Sequence, residues 1–251
     1  MERVIHEPIA AVSGLAERLE RVRGAIDTAT ARAGRAPESV TLVGVTKTTT
    51  APLVYAAARL GLTHFGENRI QEALPKIAEV RALASPVEAS RISWHFIGHL
   101  QTNKARSSVE NFAMIESVDS PRLARALDRL AAERGAPLPI LLEVNVGEEA
   151  SKGGFRPNEL SELYGELLSL AHLRIRGLMT VAPQVGEPEQ ARPYFRQLRE
   201  LRDRLVRDNP AAPLPELSMG MSGDFPVAIE EGATLVRIGR AIFGERPPAG
   251  R

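Results

Sequence analysis

The stretch TLVGVTKTTTAPLVYAAARLGLTHFGEN (Thr41–Asn68) decides the fold. Thr41–Thr46 is a short, β-branched apolar run that reads as a buried strand. PLVYAAARLG follows as a helix, with Pro52 in its first turn and Gly61 at its stop. Thr63–Gly66 then opens a second strand. A strand, a helix and a strand in succession require a crossover, hence parallel pairing.

Outward from this unit the alternation recurs. Further strands are expected at Trp94–Gly98, Met114–Val118, Ile140–Val146, Ile175–Val181, Glu216–Gly220 and Thr234–Gly239. Helical patterns fall between them: Ile70–Leu83, a short one after Gln101, Pro121–Arg134, Pro157–Leu170, Pro188–Arg207 and Asp224–Glu231. An extra helix stands in front, within Ile9–Arg32, where Leu15, Leu19, Val22 and Ile26 share one face. Eight strands in 251 residues predict a single-domain α/β fold over residues 1–251, a closed (β/α)8 TIM barrel. The rival open sheet carries a Gly-rich turn after its first strand, where this chain has Thr46-Lys47-Thr48. The Pro- and Gly-rich tail Glu245–Arg251 is expected to fray.

Composition narrows the function. Lys plus Arg is 32 against 31 for Asp plus Glu, a net charge of +1. That balance disfavours a dedicated nucleic-acid binder or a polybasic membrane protein. The absence of cysteine removes disulfides, thiolate metal sites and Cys nucleophiles, and suits a cytoplasmic location. The charged N-terminal segment is expected to be neither a signal peptide nor a membrane span.

In such a barrel, chemistry sits at the C-terminal strand ends. There this chain places Lys47, Glu67-Asn68, Gly98-His99, Asn145, Lys152, Thr180, the run Ser218–Asp224 and Gly239-Arg240. Lys47 is either a solvated cap or a desolvated amine able to attack an aldehyde. The run Ser218–Asp224 offers glycines, the Ser222 hydroxyl and a helix start for an anion, or it is an ordinary turn. Arg237 shares a strand face with Gly239, and needs either a carboxylate such as Glu143 or a ligand's ring nitrogen. His95 and His99 lie too far apart along a strand to chelate together, and His64 looks isolated, so no metal is expected. The Arg-rich stretch after Pro188 is expected to be a solvated face paired with nearby Glu and Asp.

VGVTK (Val43–Lys47), HFGENRIQE (His64–Glu72), WHFIGHLQTNK (Trp94–Lys104), ESVDS (Glu116–Ser120), LEVNVGEEASKGG (Leu142–Gly154), RGLMT (Arg176–Thr180), SMGMSGDFPVAI (Ser218–Ile229) and VRIGRAIFG (Val236–Gly244) resemble the pyridoxal-phosphate homeostasis proteins, also called the proline-synthetase co-transcribed family. The resemblance covers about Val40 to Gly244. It implies a barrel like the N-terminal domain of alanine racemase (fold type III), with pyridoxal 5'-phosphate as cofactor at the mouth. It also implies that Lys47 forms the Schiff base, with Asn68 beside the cofactor and His95 and Gly98 in the pocket wall. Met219, Gly220 and Ser222 would form one side of the phosphate cup, and Gly239 with Arg240 the other. Arg237 would face the pyridine nitrogen, and Lys152 would be a second lysine that loads or releases the cofactor. Arg240 departs from the Thr or Ser of many members.

An arginine at the pyridine nitrogen keeps it unprotonated and makes the ring a weak electron sink. Racemases with this arrangement use a tyrosine from an additional β-domain, for which this chain is expected to have no room. Tyr55, Tyr164 and Tyr194 all fall in helical stretches. The resemblance therefore implies a monomeric carrier that supplies apo-enzymes, not an enzyme; the alternative is a low-activity amino-acid racemase. An aldolase-type barrel would explain Lys47 but not Arg237.

Overall fold

The computed structural model describes residues 14–149 and 152–244. The tail Glu245–Arg251, expected to fray, and the part of the expected helical stretch that precedes Gly14 lie outside the described residues. Eight parallel strands close in chain order into a barrel. They are β1 (Thr41–Val45), β2 (His64–Glu67), β3 (Ser93–Phe96), β4 (Met114–Val118), β5 (Leu138–Glu143), β6 (Leu173–Met179), β7 (Glu216–Ser218) and β8 (Leu235–Ile238). The helices are α1 (Leu15–Arg32), α2 (Ala51–Arg59), α3 (Ile70–Leu83), α4 (Pro86–Ser90), α5 (Ala105–Asn111), α6 (Pro121–Arg134), α7 (Pro157–Leu168), α8 (Arg192–Asp208), α9 (Phe225–Glu230) and α10 (Arg240–Phe243).

The expected TIM barrel and its leading helix are present. The differences lie at edges. β3, β5 and β7 end earlier than their apolar runs, because chain leaving a barrel stays apolar while it packs over the rim. The turn Pro188–Ala191 is 3-10 before α8 begins. Two short helices, α4 and α10, escaped the periodicity. α4 starts on a local signal, the Ser85 hydroxyl accepting from the Glu88 N–H while the Glu88 carboxylate accepts from the Ser85 N–H.

The layer between barrel and helices is apolar. On α8, Phe195, Leu198, Leu201 and Leu205 are at most 2% exposed. Each such side chain contributes about 1.5–3 kcal/mol relative to exposure. The opposite face of α8 behaves as its charges suggest. Arg192, Arg196 and Arg199 converge on the buried carboxylate of Glu231, and Arg192 also pairs with Glu189 and Glu230. α1 packs against α9 and α10. Its Arg18 donates to the Ile242 carbonyl at 2.7 Å.

Closure sets up the mouth. β1 pairs with both β2 and β8, and Val43 aligns with Arg237. A Cβ on Gly239 would lie 3.2 Å from the Val45 carbonyl oxygen, so the turn after β8 sits directly against the end of β1. Residues 192 apart in sequence, Lys47 and Gly239, thereby share one rim. No described helix is long and apolar enough to cross a membrane.

Candidate functional site

A cavity of about 710 Å³ opens at the C-terminal mouth of the barrel. Lys47, Ser222, Arg237, Gly239, Arg240 and Lys152 all line it. That volume lies within the usual range for a small-molecule site, about 300–1,000 Å³.

Lys47 follows β1 on a turn that is held from behind. Thr48 adopts the left-handed region at φ +64°, rare for a β-branched residue. Its N–H donates to Glu72 Oε1, and its hydroxyl to the Lys47 carbonyl at 2.6 Å. Beneath the turn lies Lys76 of α3, only 7% exposed. Lys76 Nζ donates to the Thr46 carbonyl at 2.5 Å, to Glu67 Oε1 at 2.7 Å and to Glu72 Oε1 at 2.9 Å. Thr46 Oγ1 also donates to Glu67 Oε1, at 2.6 Å. Burial pushes the Glu67 carboxyl above its usual range, against the opposing pull of Lys76 and Thr46. Glu72, raised by its partial burial, is held below that range overall by Lys76 and the Thr48 N–H. Sequence reading missed this clamp. Its one local signal is the Glu72, Lys76 pair four apart on a predicted helix.

Arg237 is 4% exposed on β8. Its Nη1 donates to Ser218 Oγ at 2.6 Å and its Nη2 to the Thr180 carbonyl at 2.7 Å. Glu143, the carboxylate considered for it, forms no ion pair with it among the described residues. Burial and the nearby Asp119 push the Glu143 carboxyl up to about 6, while Arg237 pulls it down. His64 is not isolated: its Nδ1 lies 2.9 Å from His95 Nε2. Among the described residues no three of His, Cys, Asp and Glu gather to hold a metal.

The two glycine turns considered for an anion also have physical causes. Gly220 sits at φ +92°, and a Cβ there would come within 2.6 Å of the Ala228 Cβ, so only glycine fits. Asp224 Oδ1 accepts from the Met221 N–H at 2.6 Å and shapes the turn. Ser222 Oγ faces the second turn, accepting from the Ala241 N–H at 3.5 Å. α9 and α10 have six and four residues, so their macrodipoles add little. The donors these turns present to the cavity are the Ser222 hydroxyl and the exposed Arg240 guanidinium. Lys152 Nζ is held at 2.6 Å from Glu149 Oε1 and 3.3 Å from the Ala182 carbonyl.

Residues 19–247 match the model of the family "Alanine racemase, N-terminal domain". The chain is 46% identical over 230 residues to the pyridoxal phosphate homeostasis protein of Aquifex aeolicus, covering 92% of this chain and 97% of that one. It is 42% identical over 235 residues to the protein of the same name from Pseudomonas aeruginosa, covering 94% and 97%. Among solved structures it is similar to PipY of Synechococcus elongatus PCC7942 with PLP bound, at TM-score 0.79 and 39% identity over 92% of this chain and 100% of that one. The chain belongs to the pyridoxal phosphate homeostasis protein family. Alanine racemase of Corynebacterium glutamicum shares the fold, at TM-score 0.65 and 18% identity over 96% of this chain and 63% of that one.

Five residues that the family resemblance assigns to the cofactor do not line the cavity: Asn68, His95, Gly98, Met219 and Gly220. Met219 is fully buried in the core, and His95 is 3% exposed with its Nδ1 on Glu116. Gly98 abuts the Asn68 backbone, where an added Cβ would meet the Asn68 oxygen at 2.3 Å. Gly98→Ala is therefore expected to cost about 3 kcal/mol, the upper end for overpacking. Urea denaturation measures it; a loss under about 1 kcal/mol would mean the Asn68 turn yields freely.

Proposed function

We propose that the protein binds pyridoxal 5'-phosphate in the mouth cavity and serves the homeostasis of that cofactor. The observation that carries this reading is convergence. One amine, one buried guanidinium, one hydroxyl and two glycine turns meet in a single cavity, although they come from β1, β8 and the turn after β7. The donor set fits the cofactor's three handles. Lys47 would supply the amine for the cofactor's aldehyde, able to hold it as a Schiff base with loss of water. Ser222, the turns at Gly223 and Gly239 and Arg240 offer donors to the phosphate. Arg237, which only donates, would face the ring nitrogen and keep it unprotonated.

The names of the relatives and the cofactor in PipY support this reading. A carrier role without substantial turnover agrees with the cavity's composition. None of Tyr55, Tyr164 and Tyr194 lines it, so the second base that racemisation needs is not supplied from these tyrosines. In this reading the protein acts as a cytoplasmic monomer that limits free aldehyde and passes cofactor to apo-enzymes, and Lys152 assists transfer from the rim.

The decisive experiment is optical and covalent. Protein incubated with pyridoxal 5'-phosphate should gain a visible band, and borohydride should fix the cofactor to the Lys47 peptide. Protein that stays colourless and unmodified would refute the assignment. Ser222→Ala should weaken cofactor retention about tenfold or more, the worth of one hydrogen bond to a charged group, while still forming the coloured species. Equilibrium dialysis reads this out, and unchanged retention would place the phosphate elsewhere.

A further inference from the structure

A continuous polar chain crosses the barrel interior behind Arg237. Arg237 Nη1 on β8 donates to Ser218 Oγ on β7 at 2.6 Å. Ser218 Oγ donates in turn to Glu116 Oε2 on β4 at 2.5 Å. β4 and β7 are not neighbours in the barrel, so this bond spans its inside. His95 Nδ1 on β3 lies 2.6 Å from Glu116 Oε1. His95 Nε2 meets His64 Nδ1 on β2, and His64 lines a second cavity, of about 310 Å³, at the opposite end of the barrel.

The polarity of this chain is fixed. Serine has one proton, and a carboxylate accepts only, so Ser218 gives its proton to Glu116 and accepts from Arg237. Glu116 is 0% exposed. Burial opposes its ionisation, yet the His95 hydrogen bond, the His95 and Arg237 charges and Ser218 hold its carboxyl below the usual range. The other acids acting on Arg237 are Glu143 and Asp224. Neither is hydrogen-bonded to it among the described residues.

We propose that Glu116 and Ser218 are positioning residues that fix the orientation of Arg237 and set the charge felt by a cofactor ring in the mouth cavity. This rests on the cofactor assignment made above. Glu116 touches no ligand; it acts through Ser218. With a cofactor held on Lys47, its negative charge would favour the protonated form of the Lys47 nitrogen, so removing it would lower the pH at which that proton leaves.

The test uses the full chain, first without cofactor. With 15N-labelled arginine, the Arg237 side-chain N–H signal, assigned by its loss in Arg237→Lys, should exchange slowly with water. Glu116→Gln, nearly isosteric, should speed that exchange about tenfold. In loaded protein, the pH midpoint of the visible band should fall by about one unit in Glu116→Gln, and by less in Ser218→Ala. Glu116→Asp should restore part of both. A folded Glu116→Gln protein with wild-type exchange and an unmoved midpoint would overturn the proposal, as would a lowered Tm alone. If Glu116→Gln does not fold, Ser218→Ala carries both readouts. If the wild type takes up no cofactor, the cofactor assignment fails, and arginine exchange still decides whether Glu116 anchors Arg237.

Discussion

Lys47→Ala should abolish covalent capture of pyridoxal 5'-phosphate. After borohydride treatment, mass spectrometry should find no modified peptide where the wild type carries the cofactor on Lys47. The reason is positional. Lys47 lines the same cavity as Ser222, Gly239 and Arg240, so an aldehyde whose phosphate is gripped by those turns reaches this amine. Bound geometry of this kind multiplies an intermolecular rate by effective molarities of up to about 10⁵–10⁸ M, which a randomly placed surface lysine lacks. The phosphate donors remain in the variant, so reversible binding should persist at reduced affinity. Lys152, paired with Glu149 at 2.6 Å, should not replace Lys47. Stoichiometric trapping on Lys152 in the variant would show that the rim lysine, and not the turn after β1, is the anchor.

Lys76→Met should produce the largest loss of stability. It removes one partner of a buried ion pair and leaves Glu67, 0% exposed, with an uncompensated charge. Breaking such a pair costs about 3–5 kcal/mol. For a chain of this size that is a fall in Tm on the order of 10 °C. The loss should depend on pH. Glu67 has a folded-state pKa raised by burial, with Lys76 and Thr46 pulling the other way. The folded state therefore holds the proton more tightly than the unfolded state, and stability falls as pH rises through that window. Without Lys76 the window extends upward, so Tm should drop further at about pH 8 than at about pH 5. Pairing Lys76→Met with Glu67→Gln should recover part of the loss. A Lys76→Met protein with wild-type Tm at both pH values would show that the clamp stabilises nothing. Because Lys76 also holds the Thr46 carbonyl, cofactor capture should slow in the single variant.

The strands were legible because a buried parallel strand is a short apolar run, and TLVGV, MIESV and LVRI are such runs between helical patterns. Their ends were not legible: Gly98, Val144 and Met219 continue the apolar character past the last residues of β3, β5 and β7. Within the site, Lys47 and Arg237 stood out as charges in apolar surroundings, and Gly220 and Gly239 as turns after strands. Glu116 did not, although ESVDS carried part of the family resemblance. Its partners are His95, 21 residues away, and Ser218, 102 residues away, and no spacing rule joins them. Lys76 drew no notice, because a buried lysine with three acceptors looks like any other until α3 is docked beneath the turn.

The order of elements, the parallel barrel and the candidate amine follow from local pattern and from motif resemblance, because hydrophobic period and turn chemistry are properties of neighbouring residues. The depth of Lys76 arises only when α3 docks beneath the turn after β1, and the meeting of Lys47 with Ser222 and Gly239 and the chain from Arg237 through Ser218 to Glu116 arise only in the closed barrel. Closure brings distant polar atoms into a space without water. There each must find a partner, and that partner is chosen by geometry in three dimensions.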